Sequence, residues 1–169
     1  VQPFLTEQDV ERVQQAAARV RRGRRLARLR HELEKYFVPT AFVRGFDAEE
    51  DAESVIRRLG GMLVAEGVID DDYVQRTLDR ERLSSTAFTD ALAVPHAMTM
   101  SAARTAIAVQ VGESSMPWGD SRVQVVAFVA FGEGDRAAFQ TVFEQLVEVF
   151  SERESVQRIV RRGTGFAGL

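Results

Sequence analysis

The chain has 169 residues, 45% of them hydrophobic, and a net charge of −3, which suits one ordinary domain with a buried core and is too apolar for a disordered chain. It holds no cysteine and two histidines, so disulfides, thiolate chemistry and cysteine zinc sites are excluded, and neither a metal nor a cofactor is expected. The central apolar stretch Val125–Phe131 is too short to span a bilayer and the first dozen residues are charged, so neither a membrane span nor a secretory signal is read, and a cytoplasmic location is expected.

Taken in chain order, Thr6 to about Phe37 reads as one long helix. Thr6 is its N-cap, with Asp9 three residues on. Val13, Ala16, Ala17 and Val20, then Leu26, Leu29, Leu33 and Phe37, recur at helical steps. Gly23 is expected to break or bend it. The chain should leave this helix at Pro39 and form a first strand within Val38–Phe46. Asp47–Ile69 reads as a second amphipathic helix with acidic residues at its start, where the helix dipole favours them. Asp70–Ser84 reads as a third, opened by an aspartate cap, so Asp70 and Asp72 are helix-terminal residues and not a catalytic pair.

From there the apolar period shortens towards two. Ala91–Ala97 is a short strand, Arg104–Gly112 a longer alternating one and Met116–Arg122 a turn. Val123–Phe131 is nearly all apolar and β-branched or aromatic, as a central strand buried on both faces would be. Asp135 should cap a helix running to about Phe150, with Phe139, Val142, Phe143, Leu146, Val149 and Phe150 on one face. A last short helix is expected over Glu154–Gly163, closed by its glycine. Strands interleaved with helices around one doubly buried strand argue for an α/β sandwich. No internal repeat is present.

Common catalytic loops are missing: the sequence has no Walker A loop, no GxGxxG after a strand, no HExxH and no GxSxG. Residues 1–38 carry nine Lys/Arg against five Asp/Glu, and seven arginines fall between Arg19 and Arg30. This run raises nucleic-acid binding, but the arginines surround the helix and no aromatic residue lies among them for base stacking. A solvated connector helix, packed along its stripe on its own domain or on a second copy, is the preferred reading. His31, among those charges, reads as a solvated helix residue.

His96 has different company. It follows Pro95, whose ring fixes a backbone dihedral, and Arg80 stands sixteen residues earlier, with Glu81, Ser84, Ser85 and Thr86 between. If the third helix ends near Ser84 and the chain returns along Ala91–His96, Arg80 and His96 can face one another. A neutral imidazole is a nitrogen nucleophile near pH 7, and a guanidinium can hold phosphoryl oxygens in a bidentate fork. These residues alone leave two readings open: a histidine that accepts a phosphoryl group, and a histidine that fills a turn.

The stretch "RERLSSTAFTDALAVPHA", Arg80–Ala97, resembles the signature of type-2 enzyme IIA domains of the bacterial phosphotransferase system, the mannitol/fructose class. Arg80, Glu81, Thr86, Ala93, Val94, Pro95, His96 and Ala97 carry the match without a gap. The resemblance implies a three-layer α/β/α sandwich around a small mixed sheet, with an N-terminal helical extension. It implies His96 as the phosphorylated residue, Arg80 as support for the phosphoryl group, and Thr86 and Glu81 as further site positions. The segment from Phe4 to Phe42 resembles the linker ahead of the IIA-like domain in BglG/MtlR-type regulators controlled by this system, so residues 1–38 are expected as a connector and 39–169 as the domain. The opening Val suits a fragment of such a regulator.

Transport-type members carry a second active-site histidine after the central strand. Here Gly132–Phe143 has none, and about Ala138 matches that position. The resemblance therefore implies a phosphoryl-accepting regulatory domain of a transcription regulator or antiterminator, with phosphotransferase chemistry. A mannitol/fructose-type or nitrogen-branch transport component is the alternative. The implied partners are the phosphocarrier HPr or an enzyme IIB, other domains of the same regulator and a second copy, with no nucleic acid bound directly and no membrane. No cofactor is implied.

Overall fold

The computed structural model describes residues 6–89 and 91–150, apart from the side chains of residues 22, 23 and 25–32. The expected helix at Glu154–Gly163 and the ring of His31 lie outside the described residues. The first helix, α1, runs from Glu7 to Glu34. Thr6 Oγ1 accepts from the Asp9 amide at 3.2 Å, and the Asp9 carboxylate accepts from the Thr6 amide at 3.0 Å, a reciprocal box that satisfies two otherwise orphaned donors. The helix continues through Gly23. One glycine costs only about 1 kcal/mol against alanine, which the helix formers around it offset.

Phe37 belongs to the sheet and not to α1. Strand β1 is Phe37–Arg44, and the pairing begins already where Ile107 N–H donates to Tyr36 O at 2.8 Å. Pro39 thus lies inside a strand. β1 is an edge strand and carries an irregularity between Phe37 and Phe42, the kind of place where a missing N–H is tolerated. Helix α2 is Ala52–Ala65, shorter than expected because Asp51 caps it by accepting from Ser54 N–H at 2.8 Å. Helix α3 is Asp71–Leu83, with Asp70 capping Tyr73 N–H and Asp72 paired with Arg76.

Strand β2 is only Leu92–Ala93. Strands β3, Ala106–Trp118, and β4, Ser121–Ala130, form a long hairpin. The expected turn over Met116–Arg122 is mostly strand: Met116 pairs with Val123, and Trp118 with Ser121. The reversal is confined to Gly119 and Asp120, with Gly119 at φ 58°, a left-handed conformation that glycine adopts at no steric cost. The strands stay paired past an irregularity between Val111 and Met116, where Gln124 Nε2 donates to the carbonyls of Gly112 and Glu113. Helix α4 is Arg136–Phe150. The Asp135 carboxylate before it accepts from Thr105 Oγ1 at 2.5 Å, tying the head of α4 to the start of β3.

The sheet order is β1-β3-β4-β2, with β3 and β4 antiparallel and both edge strands parallel to their neighbours. Alternation along β3 sends Ala106 and Ala108 to one face, under α2 and α3, and Ile107, Val109 and Val111 to the other, under α4 and the end of α1. Strand β4 is central and buried on both faces from Val125 to Ala130. The result is the expected α/β/α sandwich. No helix among the described residues is long and apolar enough to cross a membrane.

Candidate functional site

The site forms where the chain returns from α3 to the sheet. Past the end of α3, the segment through Thr86 and Ala87 folds back on β2: Val94 N–H donates to Thr86 O at 3.0 Å and Phe88 N–H to Leu92 O at 3.0 Å. The chain then continues beyond β2 along β4. Val129 N–H donates to Pro95 O at 3.1 Å, and His96 bridges Val129 in parallel. The backbone on both sides of the imidazole is therefore fixed by the central strand.

The ring is fixed as well. His96 is 5% exposed, and its Nδ1 lies 2.8 Å from Val94 O. A carbonyl can only accept, so Nδ1 carries the hydrogen. In the neutral ring the lone pair is then on Nε2. Phe143 meets the imidazole edge-to-face at 4.8 Å between centroids, and Phe139 does so at 6.2 Å. Burial is the main influence on this group and pushes its pKa below the ordinary imidazole value. The Val94 carbonyl opposes this, the Arg80 charge adds to it and the Glu81 charge opposes it. The net effect keeps the ring neutral and nucleophilic at pH 7.

His96 opens into a cleft of about 810 Å³ whose lining includes Arg80, Phe88, Phe139, Phe143 and Glu144. Arg80 lies in the last turn of α3, half-buried, and its Nη1 donates to Ser84 O at 2.8 Å. That bond satisfies a carbonyl at the helix end and holds the guanidinium at the cleft wall. The structure thus brings Arg80 and His96 together.

Glu81 and Thr86 stand differently. The Glu81 carboxylate accepts from Thr86 N–H at 2.9 Å, from Thr86 Oγ1 at 2.6 Å and from the Trp118 indole N–H at 2.7 Å. Glu81 faces a second recess shared with Ser85 and Gly119, and Thr86 is 1% exposed. Both act on the site through the backbone: Glu81 holds Thr86, Thr86 holds Val94, and Val94 holds His96.

Several contributors carried no signal in the one-dimensional reading. Trp118 falls in a stretch whose Pro117 and Gly119 read as a turn. The Val94 carbonyl has no side-chain signature. Ala138 is buried in the core against the sheet, so it is not the α4 residue that meets His96. Phe139 and Phe143 do so, one helical turn apart. Their spacing was legible as an apolar face, but a core-facing stripe and a cleft wall have the same period.

The sequence model of the family described as "Phosphoenolpyruvate-dependent sugar phosphotransferase system, EIIA 2" matches residues 43–165. The chain is 26% identical over 116 residues to the transcriptional regulator ManR of Bacillus subtilis, which covers 67% of this chain and 18% of that protein. It is 32% identical over 110 residues to the mannitol-specific phosphotransferase enzyme IIA component of Staphylococcus aureus, covering 63% and 74%. The chain spans less than a fifth of the regulators it matches, ManR and a probable licABCH operon regulator. In fold it is similar to a chain of the Escherichia coli complex of enzyme IIAMTL with phosphorylated enzyme IIBMTL, at 23% identity and a TM-score of 0.65, covering 78% of this chain and 94% of that one. It is also similar to the nitrogen regulatory protein IIA-Ntr of Neisseria meningitidis, at 15% identity and a TM-score of 0.67, covering 78% and 92%.

Proposed function

Since the chain belongs to the phosphoenolpyruvate-dependent sugar phosphotransferase system EIIA 2 family, we propose that it accepts a phosphoryl group on Nε2 of His96 and serves as the phosphorylation-sensing domain of a transcription regulator. One observation carries the chemistry: Nδ1 is committed to Val94 O, which leaves Nε2 as the nucleophile at a cleft that also holds Arg80.

The step balances without any added group. Nε2 attacks phosphorus on a donor phosphohistidine or phosphocysteine, a phosphorylated HPr or enzyme IIB. The new P–N bond forms as the donor's P–N or P–S bond breaks, and that electron pair returns to the donor. No proton moves at His96, because the hydrogen stays on Nδ1, which continues to donate it to Val94 O. The positive charge that develops on the ring is stabilised by that carbonyl dipole. Arg80 meets the phosphoryl oxygens with a planar cation. In this reading residues 39–169 form the phosphoryl-accepting domain and residues 1–38 connect it to other domains.

The regulatory role is supported by the two regulators among the relatives and by the α4 wall of the cleft. Phe139 and Phe143 face His96 there, and neither phenyl group can move a proton or hold an oxyanion during onward transfer. The transport reading is supported by the mannitol-specific relatives, of which the matched region covers 74%.

The test is a labelling and chase. Incubation with a phosphorylated HPr or enzyme IIB should give acid-labile label in the wild type and none in His96→Ala. Label that persists in His96→Ala removes the assignment. Rapid, complete onward transfer to an added enzyme IIB would give the role to transport.

A further inference from the structure

Helix α1 is far longer than the sheet it leads into needs. Every residue from Thr6 to Arg21 is exposed except Asp9, which is half-buried beside its cap. Val10, Val13 and Val20 are 42%, 62% and 55% exposed. This first stretch, about 22 Å at 1.5 Å per residue, therefore projects from the domain with no cover from the described residues. A lone helix of that length is marginal in water, and its stability must come from packing.

The stripe indicates what packs on it. Val10, Val13, Ala17 and Val20 are spaced three, four and three residues apart, the a/d spacing of a two-helix seam. The pattern is the same in either direction about residue 15. If one helix is reversed against a second copy about that point, Val10 lies across from Val20 and Val13 across from Ala17.

Charge follows the same axis. The first turns carry Glu7, Asp9 and Glu11 against the single Arg12, and the far part of the exposed stretch carries Arg19 and Arg21, with Arg22 and Arg24 following and no acidic residue among them. In a parallel pair, acidic ends would meet acidic ends and arginines would meet arginines. In an antiparallel pair the acidic turns of each helix meet the arginines of the other, and Glu7 lies near Arg21 of the second copy. We infer that residues 7–21 of α1 are a self-complementary surface that pairs two copies of this chain as an antiparallel helix dimer.

This surface is independent of His96, so the inference does not rest on the phosphoryl chemistry. The chain has no cysteine, which makes cross-linking clean. A disulfide needs Cα atoms within about 7 Å, and residues 10 and 20 of one helix are about 15 Å apart. Val10→Cys alone and Val20→Cys alone should give no cross-linked dimer under mild oxidation, and a mixture of the two should give one readily. Arg21→Glu should shift sedimentation-equilibrium profiles towards monomer, and the double variant Glu7→Arg/Arg21→Glu should recover the dimer. Self-association should weaken with added salt. A protein that stays monomeric at all concentrations, a cross-link in Val10→Cys alone, or failure of the charge swap to recover the dimer would overturn the inference. A monomer that shifts only when duplex DNA is added would assign the arginines to nucleic acid instead.

Discussion

The Trp118 indole N–H donates to Glu81 at 2.7 Å, across 37 residues of chain, and the same carboxylate holds both donors of Thr86. A hairpin residue from the sheet thereby fixes the segment that positions Val94 and, through it, His96. Glu81→Ala removes three hydrogen bonds to a charged acceptor and leaves buried donors unpaired. The expected cost is about 2–4 kcal/mol, a fall in Tm of roughly 5–15 °C, visible by calorimetry. Phosphorylation of the folded variant should also slow, because the Val94 carbonyl loses its anchor. An unchanged Tm would show that this network contributes little.

Burial leads in lowering the His96 pKa, and the sign of its effect on stability follows. The unfolded chain takes up this proton near the ordinary imidazole pKa of about 6.5, before the folded protein does. Stability associated with His96 is therefore complete above that pH and falls as pH drops through it towards the lower folded value. Thermal melts from pH 7.5 to 5.5 should show this loss, and His96→Gln should flatten it. The initial phosphorylation rate should hold through pH 6.5 and fall only below it. A rate already halved at pH 6.5 would mean an unperturbed imidazole.

Arg80 is half-buried at the cleft wall, with one bond to Ser84 O, so under the proposed function its contribution should be to the phosphoryl group more than to the fold. Arg80→Lys keeps the charge and loses the fork. It should slow phosphorylation about tenfold or more, as loss of a charged hydrogen bond worth about 1.5–3 kcal/mol allows, with Tm changed little. Arg80→Gln should in addition raise the His96 pKa, read by NMR titration, because the repelling charge is gone. A collapse of the fold in Arg80→Lys would make the residue structural.

Phe139 is 40% exposed on α4 and faces the His96 ring. Phe139→His places a proton-transfer group beside His96 at little cost to the core. Phosphorylated variant protein chased with an enzyme IIB should pass on its label several-fold faster than the wild type. Equal chase rates would show that the phenyl wall does not limit onward transfer.

Much of this was legible in one dimension because it depends on local signals. Thr6 and Asp70 accept from backbone amides of their own first turns, and such a cap forms between residues three apart wherever the helix lies; Asp51 does the same for α2, four residues later than the sequence placed that helix's start. The apolar run of β4 predicted a strand buried on both faces, since burial sets its composition. The end of α1 differs: helical spacing continues to Phe37, but the Ile107 N–H bond to Tyr36 O and the pairing of Phe37 with Ile107, seventy residues away, draw the chain into the sheet first.

The pairing of Arg80 with His96 lies between these cases. Their residue types and the proline before the histidine allow the chemistry, but on those residues alone a turn-filling histidine is the favoured reading. The sequence by itself determined the presence of the four described helices, the central strand, and an imidazole sixteen residues after an arginine. The tertiary structure decided which imidazole nitrogen is free, since that depends on the Val94 carbonyl. It also decided that Trp118 anchors Glu81, and that phenyl groups rather than Ala138 face the ring. Each of those turns on side-chain direction across elements distant in sequence, which no local period encodes.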